Sequence, residues 1–298
     1  MNSYKKDAQA PGWTEPWLVA ELSSTQELSN AKVSKRASGH RYAKSLDPKS
    51  EHYHKKDSWL MGSVAEAVEI AGGGVWSKGR DTYKRMMSEL GSEVPQVKSR
   101  RRKRRRSEVD GVDIDAERFA MRSQDFWYEE YRENSDAPGS ACVRLVVQSS
   151  ASAFVKGDQY FWSGVAATIF ADRLEAAGYS VRIEWVSAGR DVFKTKGTYD
   201  GLLVTMPIKS EQEPLDLDRC IAWLSHPGVF RTLGFKSMLL HNRAADWGLG
   251  YPVEAQKLME RLDMADENTV FGAFINECKS KEDALRWLNE KLEPYGIQ

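Results

Sequence analysis

The chain has 298 residues, 41% of them hydrophobic, with 43 Lys or Arg set against 43 Asp or Glu. That apolar content excludes a wholly disordered chain, the lack of any run near 18 apolar residues excludes a membrane-spanning helix, and three scattered cysteines (Cys142, Cys220 and Cys278) exclude a disulfide framework. The charge balance conceals a split: residues 1–106 carry 22 Lys or Arg against 12 Asp or Glu, leaving 21 against 31 in the remainder, so a basic half faces an acidic one. The first residues, MNSYKKD, have no apolar core of an export signal, and reduced thiols point to a cytoplasmic protein.

Residues 1–57 are polar, rich in Ser, Lys and His, and broken by Pro11, Pro16 and Pro48. They read as a flexible arm, with Trp13, Trp17, Leu18 and Val19 as the apolar exceptions that could dock it on the main body. His52 and His54 lack further ligands at metal spacing and read as a solvated loop. Ser63 and Glu66 form a capping box ahead of Val64, Ala67, Val68 and Ala71. Gly72, Gly73 and Gly74 follow that helix as its stop, whereas a phosphate-cradling loop would precede one. A second helix is expected over 80–90, closed by Gly91.

The sharpest chemical feature is KSRRRKRRR at 98–106, with cations at Lys98, Arg100, Arg101, Arg102, Lys103, Arg104, Arg105 and Arg106. A helix of this sequence would be charged all round and could not pack. The predominance of arginine suits bidentate phosphate contact. Glu108, Asp110, Asp113, Asp115 and Glu117 follow directly, so shielding within the molecule, solubility alone or a targeting signal are the alternatives. Residues 118–132 read as a helix carrying Phe119, Phe126, Trp127, Tyr128 and Tyr131, which either packs on the later domain or stacks on unpaired bases. NSDAPGS at 134–140 reads as a linker, dividing a helical region, 58–140, from an α/β domain, 141–298.

Within that domain, Cys142, Val143, Leu145, Val146 and Val147 form a β-branched, mostly apolar run typical of a buried parallel strand. Gln148 to Ser152 is a tight loop of small residues. Phe161, Val165 and Ile169 recur four apart and start a helix that runs to Leu174 and stops at Gly178. Val181, Ile183 and Trp185 then alternate with polar residues as a strand with one packed face. Further strands are expected over 201–206, 237–241 and 269–275, and helices over 217–224, 253–262 and 280–292, the last capped by Ser280. Strands alternating with helices imply a doubly wound, largely parallel sheet beside a mainly helical, partly disordered N-terminal region.

A strand ending in a loop spaced D-x-S-x-S before a long amphipathic helix resembles the opening of a von Willebrand factor A (vWA) domain. Gln148 stands at the aspartate position, and Ser150 and Ser152 at the serine positions. The resemblance implies a vWA- or Rossmann-like α/β fold with a divalent-cation site at the carboxyl edge of the sheet. The neutral Gln148 brings no charge to offset the dehydration of a hard cation, so a degenerate loop with no metal and no cofactor is expected. LEAAGYSVRIEW, residues 174–185, also resembles a group of phage proteins by overall pattern.

No G-x-S-x-G, Walker A, dinucleotide or zincin motif occurs, and a triad through His241 and Asp246 would have nothing but residue type to recommend it. The reading that results is a non-enzymatic, single-stranded-DNA-binding accessory of phage transcription or replication, cytoplasmic in a bacterial host, with a polymerase as a conceivable protein partner. Its binding residues are the eight cations of 98–106 with Phe126, Trp127 and Tyr128. A vWA-like protein-interaction module without nucleic-acid binding and an enzyme with an unrecognised site are the alternatives.

Overall fold

The computed structural model describes residues 4–8, 17–90, 103–107, 113–114, 116–121, 126–131, 142–152, 154–190, 201–240, 251–275 and 277–297. Its centre is a six-stranded mixed sheet with helices on both faces, an α/β fold. In chain order the strands are β1 (Tyr4–Ala8), β2 (Trp17–Glu21), β6 (Cys142–Gln148), β7 (Ser180–Arg190), β8 (Gly201–Lys209) and β9 (Thr269–Phe271), and they lie side by side as β1-β2-β8-β7-β6-β9. The intervening β3 (Lys103–Ser107), β4 (Asp113–Ile114) and β5 (Trp127–Tyr131) form a separate three-stranded sheet.

The β6–loop–α6–β7 unit follows the sequence closely. Helix α6 spans Gly157–Ala177 and ends at Gly178, whose φ of +96° is the left-handed conformation that glycine adopts without strain. β7 pairs with β6 in parallel, Leu145 opposite Ile183. Contrary to the expected one-sided strand, β7 is buried on both faces: Val181, Ile183 and Trp185 point into the core under α6, and Val186 and Ala188 into the core on the other face.

The sheet departs from a doubly wound parallel pattern at β8, which runs antiparallel to β7, and β2 runs parallel to β8. An antiparallel neighbour needs no crossover helix, so strand-like residues at 201–209 say nothing about direction. Within the segment expected as a flexible arm, the apolar exceptions Trp17, Leu18 and Val19 belong to β2 of the main sheet. Trp17 and Ala20 are fully buried, and β2 lies between β1 and β8, Leu18 opposite Leu202 and Asp7 opposite Leu18. Four consecutive apolar residues among polar ones are too short a run for sequence to distinguish from a docking arm; the hydrogen-bonding edge of β8 makes them a strand.

On the larger face lie α6, α7 (Leu217–Ser225), α3 (Val64–Ala71) and α11 (Lys281–Leu292). α3 begins with the expected Ser63–Glu66 capping box and ends at Gly72, and its last carbonyls meet α7 where Trp223 Nε1 donates to Ala71 O at 3.2 Å. α4 (Ser77–Leu90) is tied to α7 by the Arg80–Asp218 pair. α6 and α7 cross at Gly164, where a β-carbon would overlap the carbonyl of Leu224. The opposite face is covered by α10 (Ala255–Arg261), through Ala255, Leu258 and Met259.

Of the strand expected over 237–241, residues 237–239 are instead helical. His226 caps α8 (Pro227–Val229), which continues through a π turn, Phe230–Gly234, into α9 (Phe235–Leu239). A short apolar run cannot be assigned from periodicity alone, and Pro227 in the first turn, with His226 as its cap, starts the helix that carries through it. Among the described residues no helix is long and apolar enough to cross a membrane.

Candidate functional site

Two of the expected site elements can be followed. The first is the basic run. Lys103, Arg104, Arg105 and Arg106 form β3, while Lys98, Arg100, Arg101 and Arg102 lie outside the described residues. The aromatic segment is not the helix expected over 118–132: α5 covers only Ala116–Ala120, and Trp127 opens β5. Aromatic residues suit a strand, and the basic strand supplies the hydrogen-bonding partner that local sequence could not reveal.

β3 and β5 pair antiparallel, with Arg106 opposite Tyr128, Ser107 opposite Trp127, Arg105 opposite Glu129 and Arg104 opposite Glu130. Cations and aromatic residues separated by some twenty positions thus share one small sheet, completed by β4, in which Ile114 pairs with Trp127. Phe119, 59% exposed, stands edge-on to Phe126 with ring centroids 5.2 Å apart, and Phe126 lies 5.3 Å from Trp127. The register sets two arginines opposite two glutamates along the backbone.

The second element is the loop after β6. Gln148 is buried, and its amide is fully engaged: Nε2 donates to the Ser150 carbonyl and Ser150 Oγ, both at 3.0 Å, and to the Val253 carbonyl at 2.9 Å, while Oε1 accepts from Ala255 N at 2.6 Å. Ser150 Oγ also accepts from Ala188 N at 3.1 Å. Ser152 Oγ accepts from Phe154 N. An aspartate could not replace Gln148 here, because two of its partners are carbonyl oxygens that need a donor. The loop is a hydrogen-bonded clamp between β6, β7 and the start of α10. Among the described residues no group of three His, Cys, Asp or Glu side chains lies close enough to hold a metal ion.

His241, Asn242, Asp246 and the linker at 134–140 lie outside the described residues. The three thiols are free, and burial pushes Cys220 and Cys278 up to about 12, which leaves them protonated and unreactive. His226 is drawn down to about 4 by burial; its Nδ1 accepts from Gly228 N and Val229 N at 3.0 and 3.2 Å, an arrangement open only to the neutral ring.

A third polar centre escaped the sequence reading. Arg231, in the π turn, is buried, with its guanidinium 4.3 Å from the centre of the Trp59 ring and 5.1 Å from that of Tyr160. It donates to the carbonyls of Trp59 and Val155, the latter at 2.6 Å. Burial pulls the guanidinium below its ordinary range, opposed by the nearby Tyr160 and Asp57. The available signal was a cation inside the mostly apolar run Val229 to Leu240, which holds Arg231 and Lys236, a setting where charge is costly.

The fold and these sites define an α/β protein with a small auxiliary sheet in which a basic strand and an aromatic strand are paired. Comparison by family model places residues 12–298 within the domain of unknown function DUF7192, and the chain belongs to that family. No curated protein and no solved structure matches it.

Proposed function

We propose that the chain is a non-enzymatic nucleic-acid-binding accessory protein that takes single-stranded DNA on its three-stranded sheet. The observation that carries this reading is the pairing of β3 with β5, which brings Lys103 to Arg106 beside the strand of Trp127, next to Phe126 and the exposed Phe119. Phosphate contacts from a basic strand combined with stacking surfaces on its neighbour are what sequence-tolerant binding of an unpaired strand requires. The α/β body, which we read as vWA-like with a degenerate, clamped loop at Gln148, Ser150 and Ser152, then serves as scaffold or as a platform for a second protein such as a polymerase.

Mobility-shift titration with single-stranded DNA, duplex DNA and RNA at several salt concentrations tests the reading. With about four to six phosphates neutralised, log affinity falls with log salt at a slope of about −3 to −4. Replacing Arg100, Arg101, Arg102, Arg104, Arg105 and Arg106 by Ser weakens all sequences alike and flattens the slope. Trp127→Ala costs about 1–3 kcal/mol with little change in slope. Glu129→Gln with Glu130→Gln strengthens binding, because these residues stand opposite Arg105 and Arg104. A six-Arg variant that binds as tightly as the parent at every salt concentration would leave a vWA-like protein-interaction module as the better reading.

A further inference from the structure

At the end of α5, Phe119, Ala120 and the following Met121 are all exposed, Phe119 by 59% and Met121 by 76%. The other large apolar side chains exposed among the described residues, Met61, Val75, Phe154, Leu217 and Tyr251, each stand alone in the sequence, and a single exposed apolar residue needs no explanation. Two within three residues do. A helix of five residues has little stability of its own, yet Phe119 is propped from behind: its ring meets Phe126 edge-on at 5.2 Å, and Phe126 lies 5.3 Å from Trp127. Trp127 is paired across the backbone with Ser107, which follows Arg106 in the basic strand β3. Two ring contacts and one strand pairing therefore join the apolar pair to the basic strand.

The charge of that strand determines what can cover the pair. Lys103 to Arg106 are four cations in succession, so an occupant shared with Phe119 and Met121 is a polyanion that also presents flat apolar area. A single unpaired base suits a ring, which Phe126 and Trp127 offer. Methionine has no ring to stack, and its flexible thioether gains most against a broad face. The end of a duplex supplies one, because a terminal base pair holds two bases in one plane with one side already unstacked. Apolar wedges driven between base pairs inside a duplex must first unstack them, a cost that is absent at a terminal pair.

We propose that Phe119 and Met121 form an apolar wedge that packs on the last base pair where a duplex opens into a single strand, while β3 follows the phosphates of the unpaired tail. The inference rests on the reading of the small sheet as a single-strand site, and it names the substrate as a junction of duplex with single strand.

Fluorescence anisotropy of the full chain with three DNAs of shared sequence tests it at one fixed salt concentration: a single strand, a blunt duplex, and that duplex carrying the single strand as a tail. The tailed duplex binds about tenfold tighter than the single strand, the lower part of the range for one stacked base, and the blunt duplex binds more weakly than either. Phe119→Ala and Met121→Ala, at exposed positions that leave the core untouched, each lower the ratio of tailed-duplex to single-strand affinity and together bring it near one. Phe119→Leu keeps part of the ratio, since apolar bulk remains. Trp127→Ala weakens both DNAs alike and keeps the ratio. If single strand and tailed duplex bind equally, with the six-Arg change still weakening both, the junction is overturned and the single-strand reading stands. A chain that binds no DNA removes both. The proposal is also overturned if the Phe119→Ala, Met121→Ala double variant keeps the parent's ratio, an outcome that would give the apolar pair to a protein partner instead.

Discussion

Gln148 and Arg231 are both buried polar groups at the ends of core elements, yet they are used in different ways. The Gln148 amide meets two carbonyls, a hydroxyl and a backbone N–H, so neither its donors nor its acceptor is left over. Arg231 has five N–H donors, gives two to carbonyls and rests between two rings, with Nε unmatched. The first centre is closed and holds β6, the loop and α10 in register. The second leaves Arg231 Nε and the neighbouring Thr232 hydroxyl buried without a hydrogen-bond partner. A buried polar group is therefore not by itself a sign of function; what distinguishes the two is how much of each group's bonding capacity the fold consumes.

The comparison breaks most easily at Gln148. Gln148→Leu keeps the approximate volume but strands two carbonyls and the Ala255 N–H, so the expected loss is about 4 kcal/mol by chemical denaturation, at roughly 1–3 kcal/mol for each unsatisfied group. A loss under about 1 kcal/mol would mean that water substitutes freely and the clamp is not closed. His226 sharpens the point, since it is closed in one protonation state only. Its folded-state value near 4 lies below the ordinary 6.5, so the unfolded chain takes up the proton first. Stability should rise from pH 4 to about 6.5, by something on the order of 3 kcal/mol, and level off above that. His226→Asn, which preserves a capping acceptor, should remove most of that slope in pH-dependent unfolding.

Effects at the open centre should be smaller. Arg231→Met strands two carbonyls but also removes a buried charge, and these oppose one another; a net loss of about 1–2 kcal/mol is expected. Equality with Gln148→Leu would show that Arg231 is a structural clamp first. Thr232→Val should change stability by less than about 0.5 kcal/mol, or raise it slightly, because the hydroxyl gives up no bond. A clear loss in thermal unfolding would reveal a partner for that hydroxyl.

Much of the α/β core was readable in the chain. The apolar run of β6, the four-residue recurrence of Phe161, Val165 and Ile169, the stop at Gly178 and the caps at Ser63 and Ser280 are local signals, fixed by side-chain period and by the backbone groups that a helix end leaves unpaired. The same local reading placed Gln148 at a loop after a strand, and its neutral amide already argued against a hard cation. It could not show that the amide was needed as a donor, because Val253 and Ala255 are over a hundred positions away.

What tertiary structure alone decided were pairings and enclosures between distant segments. Trp17 to Glu21 are a strand because β8 offers an edge 180 positions later, and Trp127 to Tyr131 are a strand because the basic run lies alongside. Ser237 to Leu239 are helical because the helix begun at Pro227 carries through them. Arg231 gains its setting from Trp59, Val155 and Tyr160, brought together from three parts of the chain. Periodicity and caps act within a few residues and are written in the sequence, whereas a hydrogen-bonding edge or a cavity wall exists only once remote segments have met.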